Sequence, residues 1–344
     1  MQRILACLAA VLCGLSAPPA SAQVDGKIVR VGLFAGAQLV RNGNWSFVEV
    51  ELRWRGEKPF AGKLHVDQFD RDGDVVTSVT EVVLPPDGEW HRWPLYFVPY
   101  DIDKNNIVHV RLYDEQGRLV KMLDERGQEV SDLASQVVLS LSEEKFLIVD
   151  LTTPRRLPHA AWLDSESVDQ GDAQNARKVR TMPPRDLPAR AQGLEAVDAI
   201  VWDNADPGGL SEQEIDALVK WVEAGGRLLI TAGTSWQALK NSPLADALPV
   251  TIEGASQTRE AQEFTEIVRN DEYAIALDKQ YNKHPITRCV MRPLTSGLAI
   301  PAVCASQQIA YRRLLGRGSL VFVGASLKEL LPAPARLSRP DEAG

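Results

Sequence analysis

The chain has 344 residues, 44% of them hydrophobic and 24% charged, and carries a formal net charge of −8. That length suffices for two domains at the usual size of about 100–200 residues each. An acidic balance with no Lys/Arg run argues against nucleic acid or an anionic membrane surface as a partner.

The first predicted element is an export signal. Arg3 precedes an apolar run over residues 4–15, and Ala20-Ser21-Ala22 before Gln23 is a small-residue cleavage site. The run is too short for an ordinary transmembrane helix, which needs about 20 apolar residues. Cys13 follows Ala10-Val11-Leu12, with a bulky residue where a lipoprotein signal needs a small one. The expectation is therefore a periplasmic or secreted protein without a lipid anchor, cleaved near Ala22. No other segment reads as a membrane span, so the mature chain is either soluble or held to the envelope by a partner. Cleavage removes Cys7 and Cys13 and leaves Cys289 and Cys304. In an oxidising compartment those two could bridge a short loop, worth roughly 3 kcal/mol. The alternative is two separate buried thiols, because spacing in sequence does not supply a Cα separation.

Residues 27–124 carry an all-β pattern. Alternating or apolar runs occur over residues 28–34, 45–54, 63–69, 75–84, 90–100 and 107–113, with turn signals between them. Asp72-Gly73 between alternating residues reads as a tight hairpin. Asp70, Asp72, Asp74 and Glu81 stand at calcium-loop spacing, but Val75 takes the place where the sharp turn needs glycine, so the loop reads as a solvated turn. Six or seven short strands in about 110 residues fit an immunoglobulin-like sandwich over residues 25–140. The Cys…Trp…Cys core of antibody domains is absent. Trp90-His91-Arg92-Trp93 could offer a stacking surface, yet Trp90 and Trp93 have opposite parity on a strand and so face the same way only if a bulge intervenes. His65 and His109 alternate with apolar neighbours and read as surface or satisfied core residues.

Residues 131–145 form the connection to a second domain, assigned to residues 144–330. Phe146-Leu147-Ile148-Val149-Asp150 is its first strand and ends in an acid. Residues 164–190 are polar and proline-rich, with a helix or strand followed by a loop. Ala199-Ile200-Val201-Trp202 is a buried strand, followed by the acidic loop Asp203-Asn204-Ala205-Asp206. Ser211 with Glu214 three residues on is a capping box. Ile215, Leu218, Val219 and Val222 follow at helical spacing, and Gly225-Gly226 stops the helix. Residues 227–231 resume as a strand buried on both faces, so the two strands are expected to be parallel with a right-handed crossover. A further helix is expected over residues 235–248, a polar insertion over 253–282, and a closing hairpin over 308–323 turning at Gly316-Arg317-Gly318. Residues 331–344 read as a disordered tail.

The stretch from Asp198 to Gly233, with Ala-Ile-Val-Trp-Asp-Asn and then Leu-Ser-Glu-Gln-Glu-Ile-Asp-Ala-Leu-Val-Lys-Trp-Val-Glu-Ala-Gly-Gly-Arg-Leu-Leu-Ile-Thr-Ala-Gly, resembles the class I glutamine amidotransferase-like superfamily. The closing Tyr311-Arg312-Arg313-Leu314-Leu315-Gly316-Arg317-Gly318-Ser319-Leu320-Val321-Phe322-Val323-Gly324 is similar to the end of its non-catalytic envelope relatives. The resemblance covers well under half of the second domain. It implies a flavodoxin-like parallel sheet with flanking helices. It also implies a nucleophilic Cys at the elbow after residues 228–231, with a His and a Glu near the domain's end. This chain has Ala232-Gly233-Thr234-Ser235-Trp236 at the elbow and no His after His284. A thiolate mechanism lacking both groups has no route, so the resemblance argues against the chemistry.

The same stretches offer other candidate nucleophiles and metal ligands. Ser235 lies on a strand-to-helix turn, but Gly233-Thr234-Ser235-Trp236-Gln237 completes only part of Gly-x-Ser-x-Gly, and Thr234 or Ser235 reads more simply as the N-cap of the next helix. Asp150-Leu151-Thr152-Thr153 begins like the metal-ligand run of von Willebrand A domains, with Pro154 in place of the last hydroxyl. Asp150, Asp203 and Asp206 all follow apolar strand runs, so in a parallel sheet their carboxylates are expected to gather at one edge as a weak divalent-metal site. The candidate ligand crevice is Asp150, Thr153, Asp203, Asn204, Asp206, Thr234 and Ser235. The sequence as a whole reads as multidomain β plus α/β: an exported, non-catalytic binding or scaffolding protein with a protein partner in the envelope. It calls for no cofactor and leaves the oligomeric state open. The competing reading is a hydrolase or metal-dependent ligand-binding protein using that crevice.

Overall fold

The structure is a computed structural model that describes residues 23–34, 39–69, 72–100, 107–136, 139–141, 146–151, 177–258, 285–304 and 307–330. The described residues are mostly strand, with few helices and several sheets. They divide into two compact units, residues 1–39 with 47–140 and residues 40–46 with 141–344. The expected signal over residues 1–22 and the tail from residue 331 lie outside the described residues. Among the described residues no helix is long and apolar enough to cross a membrane.

The strands up to residue 141 are β1 (Val24–Val31), β2 (Leu39–Arg41), β3 (Ser46–Trp54), β4 (Phe60–Phe69), β5 (Val75–Leu84), β6 (Trp90–Phe97), β7 (Ile107–Asp114), β8 (Leu119–Val120), β9 (Met122–Leu123), β10 (Glu129–Val130), β11 (Leu133–Gln136) and β12 (Leu139–Leu141). One sheet of the first unit runs β10-β9-β1-β3-β6 and another β11-β7-β4-β5, with β8 beside β7. Alternation sets the inner face: Leu64 and Val66 on β4 and Val108, Val110 and Leu112 on β7 are buried while their neighbours are not. Gly26 on β1 gives the close approach the packing needs, since a Cβ there would stand 2.9 Å from Leu133 Cδ1 of the other sheet. The β4–β5 hairpin pairs Phe60 with Leu84 through to Phe69 with Val75, and Gly73 takes φ 90° in its turn.

Residues 40–46 cluster with the second unit, where their polar partners lie. The buried Arg41 guanidinium meets the Asp198 carboxylate at 2.9 Å, and Trp45 N donates to Glu195 Oε2 at 2.7 Å.

The second unit is built on β13 (Phe146–Leu151), β14 (Arg177–Met182), β15 (Ala199–Trp202), β16 (Arg227–Thr231), β17 (Val250–Thr258), β18 (Ile286–Pro293), β19 (Leu298–Cys304), β20 (Gln307–Leu315) and β21 (Gly318–Val323). Its main sheet runs β14-β13-β15-β16-β21-β20-β19. The first five are parallel, in chain order 2-1-3-4-5, and the last two continue antiparallel. Helix α1 (Glu212–Ala224) connects β15 to β16 and buries Ile215, Ala217, Leu218, Trp221 and Val222. Its start is the expected capping box. Ser211 Oγ accepts from Glu214 N at 3.3 Å, and Glu214 Oε2 accepts from Ser211 N at 2.7 Å, a device typically worth about 1 kcal/mol. Gly225 at φ 131° ends the helix, as the glycine pair predicts.

Two elements differ from the sequence expectation. The polar insertion opens and closes in an antiparallel ribbon, β17 with β18, and residues 259–284 between them lie outside the described residues. The helix expected over residues 235–248 is a short turn, Trp236–Lys240, followed by a 3-10 segment at Pro243–Ala247. Pro243 is the reason, since it lacks the N–H that would continue the helix.

Candidate functional site

The two loops after β15 and β16 meet at Asn204. It is the one non-glycine residue among those described with a positive φ, 47°, a conformation asparagine tolerates better than most side chains. Its backbone N donates to Thr231 Oγ1 at 2.7 Å. Its Oδ1 accepts from Gly233 N at 3.1 Å, Ser235 N at 3.0 Å and Ser235 Oγ at 2.9 Å. Its Nδ2 donates to Thr234 Oγ1 at 3.1 Å. The elbow after β16 is thereby tied to the loop after β15.

Asp203 ties in a third strand end. Its Oδ1 accepts from the buried Thr231 hydroxyl at 2.6 Å and from Leu327 N at 2.5 Å, and its Oδ2 accepts from Ser326 Oγ at 2.8 Å. All three are neutral donors, two hydroxyls and an amide, so the carboxylate is satisfied without a cation. Glu329, one turn further on, accepts from Thr287 N at 3.2 Å. Burial pushes its carboxyl above the ordinary 4.5, and the nearby Asp203 charge adds to the rise. The sequence reading missed Thr231, Ser326 and Glu329. A signal for the last two was there, because Ser326 and Glu329 have capping-box spacing before the short helix Leu327–Leu330.

The ribbon crosses these strand ends. Cys289 N donates to Gly324 O at 2.7 Å, and the Cys289 thiol donates to Ala232 O at 3.5 Å. Met291 lies against Gly324, where a Cβ would come within 2.7 Å of its Cε. Cys289 is a free, buried thiol, and burial pushes its pKa up to about 12. The suggested bridge from Cys289 to Cys304 is therefore corrected. The Cys289 thiol is turned to the elbow carbonyl, and Cys304 closes the edge strand β19.

The expected metal site is also corrected. Among the described residues no group of three His, Cys, Asp or Glu side chains is placed to hold a metal ion, so Asp150, Asp203 and Asp206 do not converge as ligands. Asp150 is buried within β13, between Thr181 of β14 and Val201 of β15. Asp206 faces outward and accepts from Gly208 N at 3.0 Å as the cap of a 3-10 turn. Asp203 is held by the donors above. Of the candidate crevice, the structure joins Asp203, Asn204, Thr234 and Ser235 through hydrogen bonds, while Thr153 lies outside the described residues. Ser235 stands at the N-cap position of Trp236–Lys240, but its side chain makes no cap bond. The hydroxyl donates to Asn204 instead, so the expected capping role is replaced by a link between loops.

That link decides the chemistry open to Ser235. An activated serine donates its proton to a group able to take it, and an amide oxygen is not such a base. With Ala232 and Gly233 ahead of it, the elbow presents neither a thiol nor a primed hydroxyl.

No family model matches the sequence, and no curated protein matches it. Several solved structures are similar at low identity. An exo-β-1,4-mannosidase from Opitutaceae bacterium strain TAV5 is 17% identical over 53% of this chain and 31% of its own, with a TM-score of 0.31. This chain therefore spans less than a third of that protein's length. A ThuA-like protein from Bacteroides uniformis, with a glutamine amidotransferase-like fold, is 13% identical over 54% of this chain and 83% of its own, with a TM-score of 0.30. A CARDB domain from Pyrococcus furiosus, in complex with di-metal ions, is 17% identical over 33% of this chain and 87% of its own, with a TM-score of 0.22.

Proposed function

We propose that this is an exported, non-catalytic binding or scaffolding protein of the cell envelope, with an immunoglobulin-like sandwich followed by a degenerate amidotransferase-like domain of flavodoxin type. One observation carries the non-catalytic part: the Ser235 hydroxyl and the Gly233 and Ser235 amides are spent on Asn204 Oδ1. An elbow used this way is a structural clasp. The parallel order 2-1-3-4-5 supports the flavodoxin-type reading. The missing elbow Cys supports degeneracy.

The test is turnover. Incubated with glutamine, and separately with simple ester substrates, the purified protein is expected to release ammonia or alcohol no faster than a heat-killed control. Turnover above that control which disappears in Ser235→Ala would overturn the reading. For the export part, the amino terminus of protein recovered from the periplasm or medium is expected at Gln23, and recovery of an intact Met1 from the cytoplasm alone would count against it.

A further inference from the structure

Among the described residues, one sheet of the first unit ends in a strand with no neighbour on its outer side. β5 is the outer strand of the order β11-β7-β4-β5 and is ten residues long. Proteins usually blunt such an edge with Lys, Pro or a very short strand, and β5 has none of these, reading Val75-Val76-Thr77-Ser78-Val79-Thr80-Glu81-Val82-Val83-Leu84. Beside Val76 at 42% next to the turn, the three most exposed valines are Val75 at 62%, Val79 at 50% and Val83 at 59%. They share one parity on the strand and hence one face, at every fourth residue, so the set is symmetric about Val79.

We propose that β5 pairs antiparallel with β5 of a second copy of this chain, about a two-fold axis through Val79. In that register Val79 faces Val79 of the other copy, Val75 faces Val83, and Thr77 faces Glu81. Each contact then occurs twice, as a two-fold interface requires. The charge pattern selects this register over its neighbours. Glu81 is the one charged residue of β5 and falls opposite a threonine. An axis through Glu81 would set two carboxylates face to face, and an axis through Ser78 would set Val75 against Glu81, pairs that cost stability. The two copies' sheets join edge to edge into one continuous sheet, and the exposed valines become cross-strand pairs.

A single strand ladder is a small interface, so the dissociation constant is expected in the micromolar range, about 1–100 µM. Sedimentation of the purified protein across that range is expected to pass from monomer to dimer. Val79→Lys, which sets two cations together on the axis, is expected to remain monomeric with an unchanged melting midpoint. In a Cys304→Ser background, Val79→Cys is expected to cross-link to itself on oxidation and Thr77→Cys is not, because residue 77 faces residue 81. A wild-type protein that stays monomeric at about 100 µM overturns the proposal. So does a Val79→Lys variant that still dimerises, or a Thr77→Cys variant that cross-links as readily as Val79→Cys.

Discussion

Asp25 in the first unit and Asp203 in the second are both carboxylates fixed by three hydrogen bonds or ion pairs, and they are fixed in opposite ways. Asp25 is buried, and its partners are guanidinium groups: Arg53 Nε at 2.7 Å and Arg55 at 2.6 Å, the two arginine side chains being 34% and 52% exposed. Asp203 takes only neutral donors, and two of them, Thr231 and Ser326, are buried hydroxyls. The wet arginines can rehydrate if their acid is lost, whereas the hydroxyls inside the strand ends have no water to turn to. The same side chain is therefore a buried anchor for partly exposed cations in one unit and a rivet for neutral donors in the other.

The largest effect should come from removing the rivet. Asp203→Ala leaves two hydroxyls and an amide without their acceptor and is expected to cost about 2–4 kcal/mol in urea unfolding, nearly independent of salt. A loss under about 1 kcal/mol would show that the cage is already hydrated and the contrast false. Next, Asn204→Ala removes the acceptor for the elbow and places alanine at a positive φ, for an expected loss of about 1–3 kcal/mol. Asn204→Gly loses the same side-chain bonds but keeps the backbone at ease. A smaller loss for glycine measures the conformational share, and equal losses would assign the whole effect to the hydrogen bonds.

Asp25→Ala tests the other side. It is expected to cost about 1 kcal/mol at low ionic strength and to shrink in about 1 M salt, because the arginine heads are partly exposed while the buried carboxylate is only partly screened. A salt-independent loss would make Asp25 a second rivet. The smallest effect belongs to Glu329. Its carboxyl titrates above the ordinary 4.5 in the folded state, so the protonated form is favoured by folding. Its contribution is full below pH 4.5 and is lost as pH rises through the raised folded value. Glu329→Gln should therefore flatten the melting midpoint above pH 4.5 and raise it slightly at neutral pH. A variant whose pH profile matches the parent would remove Glu329 from the account.

What could be read from the sequence follows from how far apart the partners are. The unit from β15 through α1 to β16 is legible because its signals are local: Ser211 and Glu214 are three residues apart, and the apolar stripe repeats every turn. The β4–β5 hairpin is legible for the same reason, a two-residue period around Asp72-Gly73. The Asp203 cage is not, since Thr231 and Leu327 lie 28 and 124 residues away and neither looks unusual in its own neighbourhood. Placing acids after strands predicted that Asp150, Asp203 and Asp206 would converge. It did not predict that one would be buried in the sheet and another would cap a turn. Residues 40–46 cluster with the second unit, and no local signal announces it, because Arg41 finds Asp198 across 157 residues. The β17–β18 ribbon was hidden by composition, as Gly254, Ala255, Ser256 and Gln257 give no strand pattern until Val290, Cys289, Arg288 and Thr287 stand opposite them.

Cys289 gives the second unit a built-in clock. With the thiol buried and pushed up to about 12, the nucleophilic thiolate is scarce at neutral pH, so disulfide exchange and alkylation of Cys289 are expected to be slow in the folded protein. Reaction becomes appreciable when β18 lifts from Ala232 and Gly324 and the sulfur meets water. The rate at which a thiol reagent consumes Cys289 in native buffer thus reports on openings of that ribbon without denaturant.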